Sequence, residues 1–450
     1  MKKIISLFIV LIYVFNFTTV SFAALSTDKT TSEAQALALD AQSAILMDAT
    51  TGEIIYSKNI NDKHYPASIT KLMTVLLCLE NCEKDEVVTF SDNAVYSIEP
   101  GSSHIAIMPD EQLTVEQCLY GIMLQSANEV SNAIAEHVDG TVEKFCEHMT
   151  QRAKELGAQN TNFVNPNGLH NENHYTSAYD MALIAKELLK YPYFKEIMAS
   201  TYYEIGPTNL QSETRYLHGQ NQLLKSSSIF YYEYCEGGKT GFTNEAGNTL
   251  VAYAKKGDTE LISVVLQSTG YGEYTDTIAL FDYGFNNYET RLVSAENTLL
   301  GAVNVLENED DNDPFDTVNG VTKENVYATI PIEYASIPIE TSVNLKDSFV
   351  GNLAKGASLG TAEYSINGTS IAQAEIVSDK TVTMPEKTHL TDILPVNIKI
   401  IVIILILILI IFISALFIYR KIQKAKRRKR RRQRRAQRMK ESTANQLNLQ

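Results

Sequence analysis

Cysteine is sparse in this chain. Five residues in 450, an odd number, make no disulfide framework, so stability must come from an apolar core. Positive charge is scarce over most of the length. Between Ala24 and Asn397, 22 Lys and Arg face 52 Asp and Glu, a net charge of -30, whereas fourteen basic residues crowd between Arg420 and Lys440. An acidic surface repels phosphate backbones, which argues against nucleic acid as the main partner of the folded body. No repeat of fixed period recurs. His-Glu-x-x-His is absent, and His170 and His174, although four apart, read as loop histidines rather than zinc ligands. Cys78 and Cys82 are also four apart, a poor geometry for a disulfide along one helix, and read as buried small hydrophobes. No metal or cofactor is expected.

What is present is the composition of a globular protein, 44% hydrophobic and 20% charged, long enough for two or three domains. The two ends carry transport signals. Met1-Lys2-Lys3, the apolar run Ile4 to Val14 and Ser21-Phe22-Ala23 form a secretory signal, with cleavage expected after Ala23. Ile400 to Tyr419 is apolar apart from Ser414. At ~1.5 Å rise per residue that segment covers the ~30 Å of hydrocarbon in a bilayer. Lys426 to Arg432 follow as an unbroken basic run, and such charge stays cytoplasmic, so a single pass with the body outside is expected. The tail reads as a topology signal touching lipid, since no aromatics interleave its charges as a nucleic-acid binder would need.

Between the ends, Ala44 to Asp48, the turn Ala49 to Gly52 and Glu53 to Tyr56 predict a hairpin. Pro66 and Ala67 introduce a helix to about Leu79, with Leu72, Val75, Leu76 and Leu79 on one stripe. Helical periods recur at Val115 to Glu136, Val142 to Leu156 and Thr176 to Leu189. Strands return at Asn248 to Lys255 and Leu261 to Gln267, before a helix near Tyr274 to Tyr283. Strands at both ends of a helical middle predict an α+β domain whose termini build one antiparallel sheet with helices packed on it. Beyond about Thr290 an acidic loop, Glu307 to Asp313, and short strand patterns at Val326 to Ile339, Ser358 to Ile366 and Ser370 to Val377 predict a small all-β domain.

Three short motifs carry chemistry. Pro66-Ala67-Ser68-Ile69-Thr70-Lys71 sets a serine at a helix start with a lysine three residues on, which puts both side chains on one face, ~5–6 Å apart at Cβ. For Lys71 to act as a base it must lose its proton near neutral pH. Burial and a neighbouring cation, for which Lys239 is available, depress a lysine in that way. Ser26-Thr27-Asp28-Lys29 has the same spacing but sits in a polar lead, so context selects Ser68. Ser126-Ala127-Asn128, within the helical stretch from Val115, offers a hydroxyl to relay a proton and an amide to hold a carbonyl. Ser91-Asp92-Asn93, Ser342-Val343-Asn344 and Ser365-Ile366-Asn367 share its pattern, and alone such a triplet reads as a capping or surface serine. Gly238-Lys239-Thr240-Gly241 precedes the strand pair near Leu250. Its glycines let a substrate backbone lie alongside as an added strand, with Lys239 and Thr240 placed for a carboxylate, although alone it reads as a turn.

In this order the three motifs resemble the active-site set of the low-molecular-mass penicillin-binding proteins, the serine-type D-alanyl-D-alanine carboxypeptidases. Asn165 to Leu169 and Thr176 to Ala182 resemble that family too, and the likeness covers about Ser43 to Tyr288 closely. It implies a penicillin-binding, serine β-lactamase-like catalytic fold acting on peptidoglycan stem peptides and acylated by β-lactam antibiotics. By the resemblance, Ser68 is the nucleophile, Lys71 its base and Ser126 the proton relay. Asn128 holds the substrate amide, Lys239, Thr240 and Gly241 bind the terminal carboxylate and backbone, and the N–H groups of Ser68 and Phe242 form the oxyanion hole. The expected division is a signal peptide 1–23, a flexible lead 24–37, the catalytic domain 38–290, the β domain 291–384, a linker 385–395, a transmembrane helix 396–419 and a basic cytoplasmic tail 420–450. The sequence specifies no oligomeric state.

The chain departs from the family pattern at four places. Phe242 stands where many members have histidine, and Val130 replaces a smaller residue and is expected to tighten the pocket. An arginine common before the last catalytic helix is absent from Tyr271 to Ile278, and the anchor spans rather than lies on the membrane. A β-lactamase would share the same serine, lysine and asparagine, but no Glu-x-x-Leu-Asn run follows Ser126 to activate a deacylating water. A transpeptidase, an endopeptidase or an inactive wall-binding scaffold stay open at this level.

Overall fold

The structure, a computed structural model, describes residues 37–311, 313–384 and 396–447. The secretory signal, nearly all of the lead and the linker 385–395 lie outside the described residues. The chain divides into two compact units, one running up to Gly301 with Gly320–Leu345 and Ser358–Val377, the other of Ala302–Asn319, Lys346–Ala357 and the chain from Ser378 on.

In the first unit β1 (Ser43–Asp48) and β2 (Ile54–Lys58) form the expected hairpin, its turn held by the Asp48 carboxylate, which accepts from the Thr50 and Thr51 N–H groups at 2.8 Å. A 3-10 turn, Ala67–Thr70, leads into α1 (Lys71–Asn81). There follow β3 (Val87–Thr89), α2 (Asp92–Tyr96), β4 (Gln112–Thr114), α3 (Val115–Gln125), α4 (Asn128–Asp139), α5 (Val142–Glu155), α6 (Ala178–Leu188) and α7 (Pro192–Ala199). A small hairpin of β5 (Tyr202–Ile205) and β6 (Arg215–His218) precedes three long strands, β7 (Cys235–Thr243), β8 (Gly247–Lys256) and β9 (Thr259–Ser268), and then α8 (Gly272–Asn287).

These strands close a five-stranded sheet of order β2-β1-β9-β8-β7, with every pairing antiparallel. The two ends of the segment therefore do build one sheet, as the pattern of elements predicts. The centre of β8 and β9 is apolar without alternation because both faces are covered. Val251, Tyr253, Ile262 and Val264 enter the helical core with α1, α3, α4 and α6, while Leu250, Ala252, Leu261 and Val265 pack on Leu280 and Phe281 of α8. Alternate side chains thus feed two separate cores. In α1, Leu72, Met73, Val75, Leu76 and Leu77 are all buried, each contributing ~1.5–3 kcal/mol of transfer free energy.

Two readings change. The stretch from Val115 to Glu136 is two helices, broken where Ser126 adopts φ +56°, in the left-handed region. The Gly238–Gly241 segment does precede the strand pair β8–β9, but as part of a third strand, β7, and not as a turn. Its glycines are strand residues because neighbours press on it.

After Asn287 the described chain to Val382 holds strands and one 3-10 turn: β10 (Tyr288–Ser294), β11 (Leu299–Leu306), β12 (Asp316–Thr322), β13 (Val326–Pro331), β14 (Glu340–Leu345), β15 (Ser348–Val350), β16 (Ser358–Ile366) and β17 (Thr369–Ser378). The pattern expected from Val326 to Ile339 stops at Pro331, where the 3-10 turn Ile332–Tyr334 begins. Within the first unit β10 pairs with β13, β16 pairs with β14 and β17, and Thr290 Oγ1 donates to Asp48. Within the second unit β11 and β15 pair in parallel and Lys380 meets Asp316 at 2.8 Å. Its last element, α9 (Val396–Leu447), is one uninterrupted helix in which Ile400 to Tyr419 are exposed throughout, long and apolar enough to cross a membrane.

Candidate active site

The site is built where the 3-10 turn is squeezed between two other segments. Ala67 takes φ +50°, unusual for a residue with a Cβ, and the Thr249 hydroxyl on β8 donates to the Pro66 carbonyl at 3.0 Å. Gly168, at φ +87°, lies so close that a Cβ there would stand 1.9 Å from the Ala67 carbonyl oxygen. From the other side Gly241 of β7 presses on the turn, and a Cβ there would fall 2.8 Å from the Ser68 nitrogen and 2.5 Å from Thr249 Oγ1. Only glycine permits either approach.

This packing presents Ser68, which stays partly exposed, to a fully buried Lys71. The Lys71 amine has three neighbours: Ser68 Oγ at 3.1 Å, Asn128 Oδ1 at 2.7 Å and, in a very short contact, the carbonyl of Asn167. Burial first, and the charge of Lys239 second, hold Lys71 well below the ordinary lysine value, with Glu129 pulling weakly the other way. The amide oxygen and the carbonyl can only accept, so they take the two N–H bonds of a neutral amine. Its lone pair is then left facing the Ser68 hydroxyl.

Lys239 is 2% exposed, its amine donates to the Thr240 carbonyl at 2.7 Å, and burial lowers its pKa to about 7. It lies on β7, the edge strand of the sheet, whose outer side has no strand partner among the described residues. Ser126 sits in the break between α3 and α4, 3% exposed, with an Oγ that no group hydrogen-bonds among the described residues. The αL turn at Ser126 and the bond from Asn128 N–H to the Ser103 carbonyl, 2.9 Å, start α4 so that Asn128 reaches the amine.

Residues 28–270 match the D-alanyl-D-alanine carboxypeptidase family, and residues 288–384 match the C-terminal domain of penicillin-binding protein 5. The chain belongs to the D-alanyl-D-alanine carboxypeptidases. It is 34% identical over 84% of its length to D-alanyl-D-alanine carboxypeptidase DacF of Bacillus subtilis, covering 94% of that protein, and 30% identical to DacC of Escherichia coli, covering 81% of this chain and 88% of that one. The crystal structure of penicillin-binding protein 5 from Haemophilus influenzae superposes with a TM-score of 0.66 at 29% identity, over 77% of this chain and 98% of the other. This carboxypeptidase is therefore a serine-type peptidase of the low-molecular-mass penicillin-binding class, with a sheet-and-helix catalytic fold, an all-β domain after it and an apolar C-terminal helix.

Within the carboxypeptidase fold the structure brings Ser68, Lys71 and Asn128 into direct contact and packs Gly241 on Ser68. Thr240 is half-buried beside a cleft that Met198, Ser200, Asn221, Leu224 and Gly238 also line, while the Phe242 side chain is 63% exposed. Val130 lines neither described cleft. It is wholly buried in the helical core, 3.7 Å from where a Cβ of Gly121 would stand. The lookalike Ser91 caps α2, accepting from Ala94 N–H at 2.9 Å, and the two others lie on β14 and at the end of β16. His174 is not a ligand either. Its Nδ1 accepts from Val164 N–H at 3.1 Å, so Nε2 carries the proton shared with Thr70 Oγ1 at 2.7 Å, and burial lowers its pKa to about 3.

Sequence reasoning missed two supports. The Asn167 carbonyl is a main-chain acceptor that no residue type announces, and its side chain is fixed by donating to Asn132 Oδ1 at 3.0 Å. Glu129 is buried, accepts from Ile105 N–H at 2.7 Å and has its pKa raised by burial. Its place directly after Asn128 was the available signal.

Proposed function

We propose that Ser68 Oγ attacks the carbonyl of the penultimate D-alanine while Lys71 accepts the hydroxyl proton. The observation that carries this reading is a buried Lys71 amine whose three neighbours are Ser68 Oγ and two groups that can only accept, Asn128 Oδ1 and the Asn167 carbonyl, so that a neutral amine turns its lone pair to Ser68. The tetrahedral oxyanion is held by the backbone N–H groups of Ser68 and Phe242. Terminal D-alanine leaves with a proton passed from Lys71 through Ser126, Asn128 steadies the substrate amide, and Lys239 and Thr240 bind the departing carboxylate. Water then hydrolyses the acyl-enzyme. The substrate is a peptidoglycan stem peptide lying along the free edge of β7, over Gly241, and β-lactams acylate the same serine. The folded body takes no nucleic acid.

The same reading divides the chain at the expected limits, with a catalytic domain 38–290 and a β domain 291–384. It sets α9 across the cell membrane once near 396–419, with the body extracytoplasmic and the tail 420–450 cytoplasmic. External protease on intact cells removing the body but sparing the tail supports this topology, and the reverse pattern refutes it.

Labelled penicillin decides the chemistry. A stable adduct on the wild type, absent in Ser68→Ala, and loss of one D-alanine from a pentapeptide by mass are the expected results. Rapid turnover of the drug would instead identify a β-lactamase, and cross-linked peptide product a transpeptidase.

A further inference from the structure

Away from Ser68, a second group of reactive side chains converges. Cys82 ends α1, Glu86 stands just before β3 and His137 lies in the last turn of α4, and one ligand atom from each falls within 4.8 Å of the others. His137 Nε2 is 3.1 Å from Glu86 Oε2, and Cys78, one helical turn before Cys82 on α1, carries a second free thiol. A surface ion pair would account for the histidine and the carboxylate. It gives no reason for two free thiols beside them.

We propose that Cys82, Glu86 and His137, with Cys78 as the fourth ligand, bind a divalent cation of the zinc class. The donor set is two sulfurs, one imidazole and one carboxylate, and the Cys-x-x-x-Cys spacing is that of structural zinc sites. Zinc bonds of ~2.0–2.3 Å at tetrahedral angles place neighbouring ligand atoms ~3.3–3.8 Å apart, so the three outer donors need to draw together by only ~1 Å. Cys82 and His137 are half-buried and Glu86 is exposed, so their rotamers are free to make that adjustment. The two thiols release their protons to water as the metal bonds form. The site has a position that matters. Helices α1 and α4 begin at Lys71 and Asn128, which touch at 2.7 Å, and their opposite ends carry Cys82 and His137. A metal there ties the far ends of the two helices whose near ends hold the amine and its acceptor.

The test uses the full-length protein in detergent, thiols reduced, titrated with Co2+ and then Zn2+. One equivalent of Co2+ is expected to give the visible bands of a tetrahedral site and a near-ultraviolet thiolate charge-transfer band, which Zn2+ abolishes. Cys82→Ala and His137→Asn should each weaken binding by about tenfold or more, and Cys78→Ala should halve the charge-transfer intensity. Zn2+ should raise the melting temperature of the wild type and not of the variants. If Cys82→Ala does not fold, His137→Asn and Glu86→Gln, both outside the core, carry the test. A cobalt spectrum without a thiolate band, one unchanged in these variants, or a Cys78–Cys82 disulfide in protein isolated from membranes would each overturn the site.

Discussion

Gly241→Ala puts one methyl group where Ser68 and β7 meet. The new Cβ would stand 2.5 Å from Thr249 Oγ1, 2.8 Å from the Ser68 nitrogen and 3.1 Å from the Ile69 nitrogen. Unstrained contacts of this kind lie near ~3.5 Å, so β7 must retreat from the turn by roughly 0.5–1 Å. Thr249 can rotate away, but it then loses its bond to the Pro66 carbonyl, a term of ~1 kcal/mol. The two nitrogens belong to main chain and cannot rotate. Overpacking of this type costs ~1–3 kcal/mol of stability, which this fold survives, whereas a sub-ångström displacement between nucleophile and carboxylate-binding strand costs on the order of 10–100-fold in rate. Stopped-flow acylation by a fluorescent penicillin reads the second quantity and thermal melting the first. A variant that acylates within twofold of wild type while melting normally would show that β7 does not hold Ser68 in register.

Lys71→Arg places a longer, permanently protonated group where the neutral amine stands, one that cannot accept the Ser68 proton, so acylation should fall by about 10²–10⁴, and an acylation rate near wild type would remove Lys71 as the base. In the wild type, acylation should decline as pH falls and Lys71 regains its proton, while affinity for carboxylate-bearing peptide should decline above about 7 as free Lys239 loses its own. Lys239→Gln should erase the second limb of the kcat/KM profile and keep the first. Because unfolded Lys239 holds its proton up to 10.5 but the buried one sheds it at about 7, folding stability should rise with pH across that window, and Lys239→Met should flatten the slope in melting experiments. Arg215→Met strands Glu111, whose side chain is fully buried and paired to Arg215 at 2.7 Å, and should cost ~3–5 kcal/mol; a loss below ~1 kcal/mol would mean the pair is solvated.

The sheet was legible because the apolar run Leu261 to Leu266 pairs with a hairpin two hundred residues earlier and the run Leu250 to Ala254 pairs beside it, and chain ends that read as strands on a helical middle have few other ways to pack. The site was legible because its polar side chains are few and fixed in spacing. What escaped was main chain. The break at Ser126 is invisible to periodicity, since Leu119, Ile122, Val130 and Ile134 keep one apolar face on either side of a single left-handed residue. Residues Gly238 and Gly241 made a strand look like a turn, because glycine chosen for close approach and glycine chosen for bending are spelled alike. The α7 helix and the β5–β6 hairpin lacked strong periodic signals and are held by tertiary contacts such as the Arg215 bonds to the Ile105 and Ala106 carbonyls.

If Ser68 is the acylated serine, as proposed, the two glycines that clamp its turn also restrict how the protein could exclude an inhibitor. At most positions around a drug site, a bulkier residue can narrow the entrance while the natural peptide still threads through. At Gly168 and Gly241 any added carbon collides first with the enzyme's own peptide groups, 1.9 Å and 2.8 Å away, before it reaches a bound molecule of any kind. Selective crowding is therefore closed off on both flanks of Ser68.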